Sequence, residues 1–200
     1  MKPKDITGVV LAGGSNRRFP VLKAFIKVDG ERIIERILRI YRQLFTDILI
    51  STNTPEHFFY LGVPLVGDLY PDGGPLAGIL SSMINAKGRR VFISACDMPF
   101  IKKEMIEYII QLGDDTSVVV CKVDDKIHPL FGLYHCSVAE VIEEHLKAGK
   151  KDTKGLLKEV DTYIIDAKEI KKIDPKAENF VNINTLEDYN KFRGGRLCLD

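Results

Sequence analysis

Several short stretches of this 200-residue chain carry the residue types that phosphate and metal chemistry needs. The first is Ala12-Gly13-Gly14-Ser15-Asn16-Arg17-Arg18, with Lys23 shortly after it. Gly13 and Gly14 let backbone N–H groups approach an anion with no Cβ in the way. Arg17, Arg18 and Lys23 supply charge to neutralise phosphates. An ordinary strand-to-helix turn with solvated arginines would show the same residues. The second stretch is Cys96-Asp97-Met98-Pro99, where a carboxylate closes the apolar run Val91-Phe92-Ile93-Ser94-Ala95. Such a carboxylate suits magnesium, which takes one or two protein carboxylates and fills its shell with phosphate oxygens and water. The competing reading is an aspartate that caps the following helix. The third, Asp68 to Gly78, contains Gly73-Gly74-Pro75 and predicts a flexible turn onto a helix start with Pro75 near its first position. The fourth, Asn182-Ile183-Asn184-Thr185, sets two amides before a final helix, with Asn184 or Thr185 as its N-cap.

Other chemistries find less support. There is no G-x-x-x-x-G-K-[ST] and no G-x-G-x-x-G, so neither the P-loop nor the dinucleotide fingerprint is present. His57, His128, His135 and His145 have no zinc spacing to a second ligand, and each reads as solvated or packed. Ser15 and Ser94 lack a local base for nucleophilic work. Cys96, Cys121, Cys136 and Cys198 form no C-x-x-C pair and read as reduced thiols in a cytoplasmic protein.

The elements that must position these stretches follow from periodicity. Ile6 to Leu11 is a β-branched apolar run, hence a buried strand. Ile33, Ile34, Ile37, Leu38, Tyr41 and Leu44 recur at threes and fours, hence an amphipathic helix. Further strands are expected at Asp47–Thr52, Pro64–Gly67, Arg90–Ala95, Ser117–Cys121, Leu130–Tyr134 and Thr162–Asp166. Helices are expected at Leu76–Ala86, Lys102–Leu112, Val138–Leu146 and Thr185–Arg193, with a turn at Asp124-Asp125. The alternation predicts one three-layer α/β/α domain over 1–193 with a mostly parallel, Rossmann-like sheet, and a loose tail over 194–200. In such a sheet, ligands sit at the carboxyl ends of the strands near the point where strand order reverses. Those ends bring forward Ala12 to Arg18, Ser51, Thr52, Asn53, Asp68 and Asp97.

Composition agrees with a globular protein. Hydrophobic residues are 45% and charged residues 28%, so the chain can bury a core. A net charge of +1 argues against a globally basic nucleic-acid binder. No apolar run approaches the length of a membrane span.

Taken in order, the motifs resemble the molybdenum cofactor guanylyltransferases, over nearly the whole chain. Ile6-Thr7-Gly8-Val9-Val10-Leu11-Ala12-Gly13-Gly14, then Arg18 and Lys23, resembles that family's L-A-G-G-x-x-x-R-M-G-x-D-K. Gly74-Pro75-Leu76-Ala77-Gly78 is similar to its G-P-L-A-G, Cys96-Asp97-Met98-Pro99-Phe100 to its C-D-x-P-[FY], and Asn182-Ile183-Asn184-Thr185 to its N-[VI]-N-T. His128-Pro129 matches a middle-region H-P. The resemblance implies a nucleotide-diphospho-sugar transferase type of fold and transfer of GMP from GTP to molybdopterin, with release of pyrophosphate. It implies that Leu11, Ala12, Gly13 and Gly14 meet the nucleotide, and that Lys23 and Arg18 hold its phosphates. Ser51, Asn53 and Asp68 would line the base and ribose pocket, Asp97 would bind Mg2+, and Asn182 with Asn184 would serve the molybdopterin side. Molybdenum-cofactor insertion proteins and acceptor apo-enzymes are the implied protein partners, with no nucleic acid and no membrane.

The chain departs from the pattern at Phe19-Pro20, where Met-Gly is usual, and at Leu22, where an aspartate precedes the lysine. Two alternatives follow: a sister transferase using CTP on molybdopterin or an NTP on a sugar phosphate, and a non-catalytic nucleotide- or pterin-binding relative. Ala12-Gly13-Gly14, rather than the Ala-Ala-Gly of cytidylyl relatives, favours guanine by resemblance.

Overall fold

A computed structural model describes residues 3, 5–13, 22–113, 115–183, 185 and 188. Strand β1 (Ile6–Leu11) is buried along its whole length. Its side chains alternate between two layers: Val9 and Leu11 enter one apolar cluster, Ile6 and Val10 the other. This is the signature of a central strand covered on both faces. A short hairpin (β2, Lys27–Val28; β3, Glu31–Arg32) leads into helix α1 (Ile33–Leu44), whose six predicted apolar positions are all buried. Gly8 on β1 makes room for this helix, since a Cβ there would come within 2.5 Å of the Phe45 ring.

The chain continues through β4 (Asp47–Ser51), β5 (Leu65–Val66), α2 (Pro75–Asn85), β6 (Arg90–Ala95) and α3 (Lys103–Gln111). It ends through β7 (Val118–Val123), β8 (Lys126–His135), α4 (Ala139–Lys147), α5 (Thr153–Glu159), β9 (Thr162–Ile165) and α6 (Ala167–Ile173). Among the described residues, seven strands form the main sheet in the order β5-β4-β1-β6-β8-β7-β9. All are parallel except β8, which runs against both β6 and β7. Helices α1, α3 and α6 pack on one face; α2, α4 and α5 pack on the other. The three-layer, mostly parallel expectation therefore holds. From β1 the chain moves outward through β4 and β5, then crosses back to β6 on the other side. Strand order reverses at β1, so the carboxyl ends of β1, β4 and β6 flank the crevice.

Three differences from the sequence reading have local causes. The strand expected at Leu130–Tyr134 begins at Lys126, because Asp124 and Asp125 both adopt positive φ (47° and 59°) and close a tight hairpin. Helices α5 and α6 lie where no helix was expected. They are one to two turns long, and each is started by an aspartate: Asp152 accepts from the Lys154 and Gly155 N–H groups, Asp166 from those of Lys168 and Glu169. The β2–β3 hairpin is too short to show alternation. Of the expected final helix, Thr185 and Asp188 are described. Thr185 Oγ1 accepts from Asp188 N–H and Asp188 Oδ2 from Thr185 N–H, so Thr185 is the cap. The rest of that helix and the tail lie outside the described residues.

Candidate active site

On the β4 side of the crevice, the backbone first levels the strand ends. Ala12 N–H donates to Ser51 O (2.8 Å), and Cys96 N–H donates to Leu11 O (3.0 Å). Leu11, Ser51 and Ala95 thus finish together. Beyond them Gly13 is exposed, and a Cβ built on it would meet nothing within 4 Å. Packing among the described residues does not demand glycine there, and the backbone is left open to close approach.

Helix α2 supplies the floor. Gly74 takes a positive φ of 64°, and Pro75 occupies the first turn, as the sequence predicts. Further along, Gly78 sits where three expected site residues converge. A Cβ on it would lie 2.7 Å from Ser51 Oγ, 3.2 Å from Leu11 Cδ2 and 3.5 Å from Asp68 Oδ1. Asn53 and Asp68 clamp each other: Asn53 Nδ2 donates to Asp68 Oδ2 (2.7 Å), and Asp68 N–H donates to Asn53 Oδ1 (2.8 Å). Leu69 N–H is tied to Ser81 Oγ on α2 (2.9 Å). Leu11, Ser51, Asn53 and Asp68, which lie far apart in sequence, are gathered into one cluster.

On the β6 side stands Asp97. The capping reading fails, because α3 starts at Lys103 with Lys102 as its N-cap residue. Asp97 lies instead in the turn that closes β6. Lys23, in a short 3₁₀ turn after the first loop, places Nζ 3.5 Å from Asp97 Oδ2. Among the described residues, the other oxygen, Oδ1, is buried with no hydrogen-bond partner. Burial pushes the Asp97 carboxyl above the ordinary carboxylate range, and the Lys23 ammonium pulls it partly back. Burial likewise pushes the neighbouring Cys96 thiol up to about 12, so it stays protonated and unreactive.

The segment bearing Asn182 crosses directly over this turn: Ile183 N–H donates to Asp97 O (2.9 Å). Asn182 Oδ1 is a second buried acceptor without a partner among the described residues. A latch that sequence reasoning missed holds the segment. Lys102 Nζ lies 2.6 Å from Asp174 Oδ1, and Asp174 is fully buried. Asp174 Oδ2 accepts from Asn179 N–H (2.7 Å), while Asn179 Oδ1 accepts from Lys102 N–H (2.8 Å). Lys102 lies over 70 positions from both partners, and no local pattern joins them. Gly14, Arg18 and Asn184 lie outside the described residues, as does Phe19-Pro20. Among the described residues, no group of three or more histidine, cysteine, aspartate or glutamate side chains could hold a metal. A cation here would have Asp97 as its described carboxylate.

A MobA-like NTP transferase domain model matches residues 8–163, which span both halves of this crevice. The chain belongs to that family. A molybdenum cofactor guanylyltransferase of Desulfosudis oleivorans is 36% identical over 188 residues, covering 93% of each chain. A probable molybdenum cofactor guanylyltransferase of Carboxydothermus hydrogenoformans is 32% identical over 188 residues, covering 94% of this chain and 95% of its own. Among solved structures, molybdopterin-guanine dinucleotide biosynthesis protein A of Archaeoglobus fulgidus superposes with a TM-score of 0.82 at 24% identity, covering 93% of this chain and 96% of the other, and so supports the fold. The family resemblance read from the sequence is therefore correct, and the family's nucleotidyltransferase chemistry is consistent with the crevice described above.

Proposed function

We propose that this protein transfers GMP from GTP to the terminal phosphate of molybdopterin and releases pyrophosphate, with Asp97 holding magnesium. The carrying observation is the Asp97 carboxylate: one oxygen faces Lys23, and the other is buried without a partner at the reversal point of a sheet in this family. A buried, unpaired carboxylate oxygen costs about 1–3 kcal/mol, which a cation would offset. One carboxylate with an amide nearby suits magnesium, whose remaining ligands would be phosphate oxygens and water. When bound, magnesium supplies charge that stabilises the transferring phosphate oxygens.

The chain's own residues do the rest. Leu11, Ala12, Gly13 and Gly14 bring backbone to the nucleotide, while Ser51, Asn53 and Asp68 hold base and ribose. Lys23 and Arg18 neutralise the triphosphate tail, which leaves as pyrophosphate. Asn182 and Asn184 serve the molybdopterin side. No side chain needs to act as general base, because a phosphate nucleophile is ionised at neutral pH. Catalysis is positioning and charge compensation. Among the described residues no helix is long and apolar enough to cross a membrane, and Cys96, Cys121 and Cys136 are free thiols. The proposed reaction would run in the cytoplasm, with molybdenum-cofactor insertion proteins and acceptor apo-enzymes as its partners.

The test is to incubate the protein with magnesium, molybdopterin and each of the four NTPs. The guanine dinucleotide should form, and GTP should raise the melting temperature most, since ligand bound only by the native state stabilises it by mass action. An equal or larger shift with CTP, and a cytosine dinucleotide as product, would overturn the guanine assignment.

A further inference from the structure

Across Asp97 from the nucleotide pocket, the sheet presents groups that the proposed reaction has not used. Strand β8 follows β6 in the sheet, away from β1, β4 and β5. Because β8 is antiparallel, it starts at the carboxyl edge, and its first residues form the tip of the β7–β8 hairpin. Pro129 has no N–H to give the ladder, and the register with β7 breaks beside it. Val120 faces Gly132 but Cys121 faces His128, so Pro129, Leu130 and Phe131 have no partner on β7. Tyr134 Oη donates to Pro129 O at 2.6 Å and fixes this bulge. Bulges re-aim the residues beyond them.

The re-aimed residues are Lys126, Ile127 and His128. The His128 ring rests on Phe180 with centroids 4.9 Å apart, and Phe180 meets Phe131 edge-on at 5.7 Å. Phe180 stands two residues before Asn182, on the segment whose Ile183 N–H binds Asp97 O. His128 is thereby joined to the Asp97 turn through one short stretch of chain. Lys126 is exposed, and its ammonium acts electrostatically on both Asp97 and His128. Burial, then Lys126, push the His128 pKa down to about 4 against a smaller opposing effect of Asp124. The imidazole is therefore neutral at pH 7, with one N–H and one lone pair, and these make no hydrogen bond among the described residues.

We infer that Lys126 and His128 form a subsite for the acceptor's phosphate monoester. This rests on the transferase reading. In-line displacement puts the attacking and leaving oxygens on opposite sides of the α-phosphorus. The triphosphate tail lies toward Gly13 and Lys23, so the attacking phosphate enters from the hairpin side. An oxygen of the acceptor phosphate forms the new O–P bond, and the bond from the α-phosphorus to the bridging oxygen breaks. Pyrophosphate departs with that electron pair. Lys126 supplies the charge that lets a second anion approach, and His128 supplies a neutral N–H donor.

Binding of molybdopterin by equilibrium dialysis and of GTP by thermal shift separates the two phosphate sources. Lys126→Gln should weaken molybdopterin binding roughly tenfold, the usual loss of a charged hydrogen bond, and leave the GTP shift unchanged. Lys126→Arg should restore most of the affinity, and His128→Gln should weaken molybdopterin binding by a smaller factor. Equal weakening of both ligands, weakening of GTP alone, no change in either, or a wild-type protein that does not bind molybdopterin would each overturn the subsite. Failure of the transferase reading looks different: wild-type protein binds molybdopterin and responds to Lys126→Gln, yet makes no dinucleotide.

Discussion

On the β1–β4–β5 side of the crevice, polar groups answer one another. Asn53 and Asp68 exchange two hydrogen bonds, and Leu69 N–H is fixed by Ser81. On the β6–β8 side they do not: Asp97 Oδ1 and Asn182 Oδ1 are buried without partners, and the His128 ring nitrogens are free of hydrogen bonds among the described residues. The first side keeps its shape through its own pairs. The second side holds unmet bonding capacity. Behind it, Lys102, Asp174 and Asn179 anchor the Asn182 segment through short hydrogen bonds. The crevice thus has a satisfied wall and an unsatisfied one.

The largest effect should come from the unsatisfied wall. Asp97→Asn keeps the side chain's size but removes the charge that would hold a cation. Turnover at saturating magnesium should fall at least about a hundredfold, with the urea stability kept within about 1 kcal/mol. Retained turnover with reduced stability would erase the distinction between the walls. Next is the latch. Lys102→Met leaves the buried Asp174 without its ammonium and should lower stability by about 2–4 kcal/mol. Adding Asp174→Asn should recover part of the urea midpoint, whereas no recovery would mean the pair is not what anchors the segment.

The satisfied wall gives a smaller and more selective response. Gly78→Ala drives a methyl group against Ser51 Oγ, 2.7 Å from its ideal position. GTP affinity should drop roughly tenfold, in line with the 1–3 kcal/mol typical of overpacking, while molybdopterin binding stays put. A variant that loses both ligands equally would show that the two walls are one unit.

The smallest effect concerns pH. His128 has a folded pKa lowered to about 4, so the unfolded chain binds more protons between that value and the ordinary histidine value of about 6.5. Stability contributed by the neutral ring is therefore fully present above about 6.5 and fades as pH falls toward 4. Wild type should lose stability over this window more steeply than His128→Asn, by about 1 kcal/mol or less given the ring's partial exposure. Parallel urea-midpoint profiles for the two proteins would count against the burial of the ring.

Much of the site was legible because strands and helices end where their periodicity ends. Leu11, Ser51, Asp68 and Asp97 each follow an apolar run, and topology alone gathers such residues at one edge. The capping alternative for Asp97 had to await the true start of α3 at Lys103. His128 was read as an isolated histidine beside its match to the family's H-P, since neither a bulge nor an aromatic neighbour 52 positions away leaves a local mark. Helices α5 and α6 were missed because one or two turns carry too few apolar positions to show a period, although Asp152 and Asp166 stood as their caps.

Sequence by itself determined the alternation of strands and helices, the placement of the chemical residues at strand ends, and the family. Those depend on local periodicity, turn residues and motif order, all written within a few positions of one another. Tertiary structure alone decided which polar groups are paired and which are left buried and unpaired. Lys23 reaches Asp97 across 74 positions and Lys102 reaches Asp174 across 72. Pairing and desolvation arise only when packing brings distant segments together and excludes water, and no local pattern contains either.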